Sequence, residues 1–310
     1  MPLLGAHQSI AGGYFRAVER AAEVGCQTVQ LFTKNNNQWR ARAITDGEAE
    51  RFQEALAEKH ISHPLSHTSY LINLASPDPV LWRKSIDAFV VELQRAERLG
   101  IPYVVVHPGA FTTADEATGI RNVAAALDEA LRQTRGMAVC PLLENTAGQG
   151  TCLGWNFEQL AAIIDAVQSP DRVGVCIDSC HAFAAGYPLA PKKEYLATMR
   201  ELDRTVGLKR VKAFHLNDSK REQGSRVDRH EHIGKGHIGV EGFRNLLNDR
   251  RFRRVPMYLE TPKGTYRGRE WDKINLATLR GLVECDATLV ARAPSQTKAA
   301  RISARSRSNR

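Results

Sequence analysis

Several features are scarce in this sequence of 310 residues, and each absence narrows the class of protein. The six cysteines are scattered without a Cys-x-x-Cys pair, which argues against zinc held by cysteines. No apolar run approaches the roughly 20 residues that a membrane-spanning helix needs. The amino terminus lacks the basic segment and the long apolar stretch of a secretory signal. We therefore expect a soluble protein of the reducing cytoplasm, with no membrane partner.

Acidic residues are absent from Arg292 onward, and this part of the chain carries six of the nine net positive charges. The six cations are Arg292, Lys298, Arg301, Arg305, Arg307 and Arg310. This part also has too few apolar residues to form a core. We therefore predict one catalytic domain over residues 1–285 and a basic, disordered tail over residues 286–310. The tail is either a solubilising extension or an arm that binds phosphates.

Short apolar runs alternate with longer amphipathic stretches eight times along the domain. The runs predict strands at residues 3–7, 28–33, 62–67, 103–107, 138–145, 173–178, 210–216 and 256–261. Between them we expect helices, for example at residues 78–99 and 113–134. Strands that alternate with helices form a parallel sheet, and eight such units suggest a closed (β/α)8 TIM barrel, an α/β fold. A doubly wound open sheet is the structural alternative.

Nine residues of metal-binding type stand at or just beyond the ends of six predicted strands. They are His67, His107, Glu144, Asp178, His181, His215, Asp228, His230 and Glu260. In a closed barrel the carboxyl ends of all strands meet at one face, so these residues would converge there. A single histidine at a strand end is more often structural, and a lone carboxylate as often caps a helix. Nine together favour a site for several metal ions, because buried carboxylates need cations as partners.

Local spacing and charge narrow the chemistry of this site. Asp178 and His181 are three residues apart at a strand-to-helix turn, and Asp228 and His230 are two apart, so each pair can face one pocket. Imidazole and carboxylate are ligands that zinc takes in catalytic sites, and manganese accepts the same groups. Four carboxylates and three divalent ions would leave a net charge of about +2, which attracts an anion. This favours hydrolysis of a phosphodiester.

Several long motifs make the chain similar to a known family. They are GAH at residues 5–7, LFTKN at 31–35, HTSYLINL at 67–74, HPG at 107–109, LENTAGQG at 143–150, CIDSCHA at 176–182, HLND at 215–218, GSRVDRH at 224–230, IGKG at 233–236 and ET at 260–261. These segments resemble the endonuclease IV family, the apurinic/apyrimidinic (AP) endonucleases of base-excision repair. The resemblance covers residues 4–282, and the basic tail has no counterpart.

The resemblance implies a trizinc site, with manganese as the alternative ion at one position. His67, His107 and Glu144 would hold one zinc. Glu144, the catalytic bridging ligand, would share a second zinc with Asp178, His215 and Glu260. The third zinc would be held by His181, Asp228 and His230.

The resemblance also implies the reaction. A hydroxide held between the first two ions would attack the phosphorus 5′ to the abasic sugar. The third ion would stabilise the departing 3′-oxygen, giving a 3′-hydroxyl and a 5′-deoxyribose phosphate. The partner would be double-stranded DNA with abasic or 3′-blocked sites. A 3′-end phosphodiesterase or phosphatase side activity and a monomeric state are also implied.

The expected DNA contacts lie on the loops around the strand ends. Tyr70 and Leu71 match the family's loop that enters the minor groove, although an aromatic residue there could instead serve ordinary packing. Asn37 stands where well-studied relatives have an arginine that fills the gap in the duplex, and Gln38 or Arg40 could assist it. The candidate phosphate contacts are Lys34, Lys220, Arg226 and Arg229.

Two rival functions stay open on the sequence. Sugar isomerases and epimerases on similar barrels resemble this chain in the set Glu144, Asp178, His215 and Glu260, but they do not need the other five residues. One metal ion per chain would favour them. A non-catalytic basic DNA-binding module would explain the tail but not the metal ligands.

Overall fold

Eight parallel strands close into a barrel, and each strand is followed by at least one helix. The computed structural model describes residues 2–284, so the tail predicted for residues 286–310 lies outside the described residues. The barrel strands are β1 (Leu4–His7), β2 (Thr28–Phe32), β3 (Ser62–His67), β4 (Tyr103–Val106), β5 (Cys140–Glu144), β6 (Gly174–Asp178), β7 (Val211–His215) and β8 (Met257–Leu259). Strand β1 pairs with both β2 and β8, so the sheet has no free edge. The predicted TIM barrel is confirmed, and the open-sheet alternative is wrong.

Nine α-helices surround the barrel within the described residues. They are α1 (Tyr14–Glu23), α2 (Asp46–Glu58), α3 (Pro79–Arg98), α4 (Glu116–Gln133), α5 (Phe157–Ala166), α6 (Ser179–Ala185), α7 (Lys192–Thr205), α8 (Gly239–Leu247) and α9 (Trp271–Leu282). Side-chain caps fix where several of them begin: Asp78 accepts from the amides of Val80 and Leu81 at α3. Asp115 and Asn156 cap α4 and α5 in the same way. No helix in residues 2–284 is long and apolar enough to cross a bilayer.

Alternation along the strands divides the core into two parts. An inner cluster fills the barrel with Leu65, Val105, Leu142, Cys176, Ala213 and Tyr258. The larger outer cluster lies between the strands and the helices, and its α3 members Ile86, Phe89 and Leu93 are fully buried. Burying each such large side chain contributes roughly 1.5–3 kcal/mol. The packed interior thus makes the barrel a rigid support for the side chains at the ends of its strands.

Several strands are shorter than their apolar runs suggest. β4 ends at Val106 and β8 at Leu259, so His107 and Glu260 stand just outside the ladder. Arg210 belongs to a 3-10 turn (Leu208–Arg210) rather than to β7. At β4 and β8 the chain leaves the ladder just before a ligand-type side chain at the carboxyl face, which an apolar pattern does not reveal.

A long excursion between β7 and α8 carries two of the nine residues. It contains two short antiparallel strands, Asp218–Ser219 and His230–Glu231. The carboxylate of Asp218 accepts from the backbone amides of Gly234, Gly236 and Ile238. A Cβ on Gly236 would lie 2.3 Å from the carbonyl oxygen of Ser219, so glycine is required at this close approach. The excursion is therefore fastened onto the rim rather than free in solvent.

Candidate metal centre

All nine predicted residues meet at the carboxyl face of the barrel. His67, Glu144, Asp178 and His215 are the last residues of β3, β5, β6 and β7. Glu144, Asp178 and His215 have no exposed surface at all. Because parallel strands end at one rim, residues spread over most of the chain become neighbours.

Glu144 lies at the centre of this group. Its Oε2 is 3.1 Å from His67 Nε2 and 3.0 Å from His107 Nε2. Its Oε1 is 2.8 Å from His215 Nδ1, which is also 3.2 Å from Glu260 Oε2. One carboxylate thus faces two different sets of ligands, one with each oxygen. This is the arrangement expected of a bridging residue.

Ligand-type atoms within 4.8 Å of one another form separate groups along this cluster. The first group is His67, His107 and Glu144, and the second is Glu144, Asp178, His215 and Glu260. These are the two sets that the resemblance implied. The structure brings both together without rearrangement.

The third set is assembled from α6 and the excursion. Asp228 lies 3.1 Å from His181 Nε2 through Oδ2 and 3.3 Å from His230 Nε2 through Oδ1. His181 is held by the turn into α6, where the carboxylate of Asp178 accepts from its backbone amide at 2.8 Å. The structure places the members of both predicted pairs, Asp178 with His181 and Asp228 with His230, within 4 Å of each other.

Cys180 lies beside two residues of the third set, which the sequence did not suggest. Its thiol lies with Asp228 and His230 inside one group of ligand-type atoms. Burial raises the pKa of this thiol to about 12, so it stays protonated at neutral pH unless a cation displaces the proton. It was not among the predicted ligands, because the six cysteines form no Cys-x-x-Cys pair.

Three of the five imidazoles are oriented by a hydrogen bond from their Nδ1 atom to a backbone oxygen. His67, His181 and His230 place Nδ1 at 2.8, 2.9 and 3.3 Å from the backbone oxygens of Thr68, Asn145 and Glu260. A carbonyl only accepts, so each of these nitrogens carries the proton. The neutral ring then presents its Nε2 lone pair to the carboxylates. Lone pairs facing carboxylate oxygens repel unless a proton or a metal ion lies between them.

The carboxylates and imidazoles of the cluster shift each other's pKa strongly. Burial opposes ionisation of Glu144, but the imidazoles of His215 and His107 hold the pKa of this carboxyl well below its usual range. Burial likewise favours a neutral His181, yet Asp178 and Asp228 raise its pKa well above the ordinary value. The carboxylates thus stay ionised and demand positive charge. Protons on the imidazoles can supply it, and so can metal ions.

The donor set fits divalent metal ions of the zinc type. Neutral imidazole and carboxylate oxygen are the ligands that zinc takes in catalytic sites. The Nε2 atom of His230 is buried and has no hydrogen-bond partner of acceptable geometry, although buried polar atoms nearly always have one. A metal ion at this point would satisfy it. The residues present therefore suit the ions that the sequence implied.

Polar side chains behind the ligands support them, although none of these side chains was a predicted site residue. Asn217 donates to Asp178 Oδ2 at 2.6 Å and accepts from the amide of Glu260 at 2.8 Å. Asn145 forms two bonds with the backbone of Asp178. Gln30, a polar residue inside strand β2, touches both His215 and Glu260. A polar residue within an apolar run was the available signal.

The loop after β3 carries the expected groove-entering residues to the edge of the centre. The side chain of Tyr70 is 65% exposed, and its ring lies 6.1 Å from that of His67. Leu71 follows it and is half-buried. An exposed aromatic ring beside buried ligands is not used for core packing, which leaves it available to a partner.

The loop after β2 carries two of the expected DNA contacts, of which one is exposed and the other is buried. Asn37 is exposed, and its backbone amide donates to the Asn35 side chain. Lys34 is only 6% exposed, and its ammonium lies 3.3 Å from Glu92 and donates to the carbonyl of Gln38. This placement makes Lys34 an internal fastener of the loop. It does not fit the expected phosphate contact.

The excursion presents the remaining cations. Arg226 and Arg229 are exposed, and the guanidinium of Arg226 lies 4.1 Å from the centre of the Trp155 ring. Lys220 is exposed with Glu231 at 4.0 Å. These three cations border the third ligand set, where an anionic backbone would approach.

Known proteins share both the sequence and the architecture. A sequence profile of the xylose isomerase-like TIM barrel family matches residues 18–282. A protein of Geobacter sp. (strain M21) named "Probable endonuclease 4" is 49% identical over 284 residues, covering 92% of this chain and 100% of the relative. Endonuclease IV from Thermus thermophilus has a similar structure, with a TM-score of 0.80 and 38% identity over 91% of this chain and 98% of that one. A D-tagatose 3-epimerase-like protein has a TM-score of 0.68 at 18% identity, covering 90% and 96% of the two chains, which shows a common fold alone.

Proposed function

Because this chain belongs to the endonuclease IV family, we propose that it is a metal-dependent DNA-repair hydrolase that cuts the phosphodiester bond 5′ to an abasic site in duplex DNA. The proposed products are a 3′-hydroxyl and a 5′-deoxyribose phosphate. Removal of blocking groups from DNA 3′ ends is proposed as a side activity of the same centre.

The observation that carries this proposal is that the two carboxylate oxygens of Glu144 face two different ligand sets. Its Oε2 faces His67 and His107, while its Oε1 faces His215. A single-metal sugar enzyme would need only the second set. The presence of His67, His107 and the group around Asp228 supports a centre for three ions.

In this proposal each residue has a defined task. Glu144 would hold two ions at once, and Asp178, His215 and Glu260 would complete the second position. His181, Asp228 and His230 would hold the third. Bound divalent ions would lower the pKa of water and neutralise charge on the phosphate during displacement. No protein side chain is then needed as a covalent nucleophile.

The protein groups around the centre would select the substrate. Tyr70 and Leu71 would enter the minor groove beside the lesion, where the missing base lowers the cost of extruding the nucleotide. Arg226 and Arg229 would contact backbone phosphates and fix the register of the duplex. Asn37 is shorter and uncharged compared with arginine, so it would support the opened duplex less.

The test is cleavage of a labelled duplex that contains one tetrahydrofuran abasic analogue, by protein whose metal content has been counted. This analogue cannot undergo β-elimination, so a cut on its 5′ side that leaves a 3′-hydroxyl identifies hydrolysis. We expect such a cut with about three ions per chain, one for each of the three proposed ligand sets. One ion per chain and no cut would overturn the proposal and favour a sugar epimerase. An uncut duplex with three ions would require another substrate.

A further inference from the structure

One ligand of the centre is oriented by a side chain instead of by the backbone. Three imidazoles hold their outer nitrogen against a backbone carbonyl. The outer nitrogen of His215, Nε2, instead lies 2.7 Å from Oε1 of Gln30. Gln30 is fully buried in β2, although strands β1 and β8 separate it from β7 around the barrel. It reaches across the rim to make this contact.

The orientation of the Gln30 amide follows from its second partner. Its Nε2 lies 2.5 Å from Oε1 of Glu260, and a carboxylate can only accept. The amide nitrogen therefore faces Glu260, and the amide oxygen faces His215. Since the amide oxygen accepts, Nε2 of His215 must carry the proton. Its Nδ1 lone pair then points at Glu144 and Glu260, which lie 2.8 and 3.2 Å away.

A third partner completes the fixation. Nε2 of Gln30 also lies 3.1 Å from Nδ1 of His7, at the end of β1. The amide nitrogen only donates, so Nδ1 of His7 accepts, and the neutral ring carries its proton on Nε2. His7 in turn packs against Phe32 with ring centres 4.5 Å apart. His7 thus fixes the Gln30 amide, and the amide fixes the two ligands His215 and Glu260.

We infer that Gln30, supported by His7, is the positioning residue of the second metal position, because it sets the tautomer of His215 and the direction of the Glu260 carboxylate together. This inference rests on the proposed metal centre and adds the residue that prepares one of its positions. Gln30 does not touch the substrate or the reacting atoms. Outer partners of this kind change metal affinity by about 10- to 100-fold when they are removed.

The experiment compares Gln30→Met with wild type and with Gln8→Met. Methionine keeps the length of glutamine and removes its bonds to His215, Glu260 and His7. Gln8 is a matched control, since it is a buried glutamine beside the end of β1 whose side chain donates to Asp272 at 2.8 Å and to none of the nine ligands. Zinc is the probe. Its stoichiometry, its affinity and its release to a chelating dye are measured without DNA.

We expect Gln30→Met to release one zinc about 10- to 100-fold faster than wild type and to retain the other ions. Gln8→Met should release zinc as wild type does. Unchanged release in Gln30→Met, or equally fast release in Gln8→Met, would overturn the inference. Unfolding of the metal-free forms shows whether the barrel itself has been weakened: a positioning role moves the midpoint only when zinc is present.

A second measurement covers the case in which Gln30→Met does not fold. Histidine ring ¹⁵N spectra of zinc-loaded wild-type protein should show His215 with its proton on Nε2 and with Nδ1 bound to metal. The opposite tautomer would overturn the inference. Zinc binding and tautomer are read independently of cleavage. Failure of the nuclease proposal and failure of the Gln30 proposal are therefore distinguishable.

Discussion

The strand-end cluster and the loops that surround it differ in how their side chains are held. Glu144, Asp178 and His215 are fully buried, and each is held by side chains on or just after other strands. Tyr70 is mostly exposed and lies only at the edge of the cluster. Arg229 is exposed, and its guanidinium donates to a backbone carbonyl next to it. Side chains of the cluster are therefore held by contacts on all sides, whereas those of the loops have contacts on one side.

The difference corresponds to two physical demands. Metal ligands must hold their positions to a fraction of an ångström, and this requires partners that are themselves fixed. Residues that meet a long, deformable partner gain from exposure and from loop placement, which a rigid scaffold supports. Substitutions in the cluster should therefore abolish function, whereas substitutions in the loops should reduce it by degrees.

The largest effect is expected from Glu144→Gln. This change removes the carboxylate that faces both His67 and His215, so it should weaken two metal positions together. Cleavage of abasic duplex should fall by more than about 100-fold, since loss of even an outer partner costs 10- to 100-fold. Glu58→Gln, an exposed acid beside Lys59, is the control. Near wild-type cleavage with full metal content would refute the bridging role.

Removal of metal should reverse the pH dependence of stability. In the metal-free protein the pKa of His181 is lowered by burial but raised further by Asp178 and Asp228, so it lies well above the unfolded value. Such a group stabilises the fold below about pH 6.5 and stops doing so as pH rises through its folded pKa. The thermal unfolding midpoint of the metal-free protein should therefore fall as pH rises above about 6.5. The zinc-loaded midpoint should rise, because zinc displaces protons from its ligands. Parallel curves with and without zinc would contradict this expectation.

The sequence predicted the cluster well because barrel geometry leaves little freedom. Once eight strand–helix units are recognised, any polar residue that ends a strand must lie at one rim. His67, Glu144 and His215 follow directly from that rule. The spacing of Asp228 and His230 predicted their proximity to each other, but only the excursion's fastening through Asp218 shows how they reach the rim.

Other features could not be predicted, because they depend on contacts between distant strands. Gln30 lies inside an apolar run, and only the closed barrel places it against His215 and Glu260. Lys34 shows the opposite error: its charge suggested a phosphate contact, but the buried Glu92 on α3 captures its ammonium. Charge in a sequence does not show which way a side chain points.

A moderate effect is expected from Tyr70→Ala. The exposed ring would be lost while His67 keeps its bond to the carbonyl of Thr68, so the cluster itself should be unchanged. KM for abasic duplex should rise about 10-fold, with kcat within about 2-fold, since one aromatic contact with a base is worth about 1–3 kcal/mol. Tyr266→Ala is the control, as another half-exposed tyrosine outside the predicted contact loops. A fall in kcat alone, with unchanged KM, would show that Tyr70 supports the centre rather than the duplex.

The smallest effect is expected from deletion of residues 292–310, which removes six cations and none of the nine predicted ligands. If this segment binds phosphates, deletion should reduce the slope of log affinity against log salt by up to about 0.9 for each lost contact. Cleavage at low salt and saturating substrate should not change, because the described ligands all precede the deleted segment. A full-length chain with the six cations replaced by glutamine separates charge from length. An unchanged slope in both variants would make the tail a bystander, and DNA affinity would then reside in the exposed loops of the barrel rim.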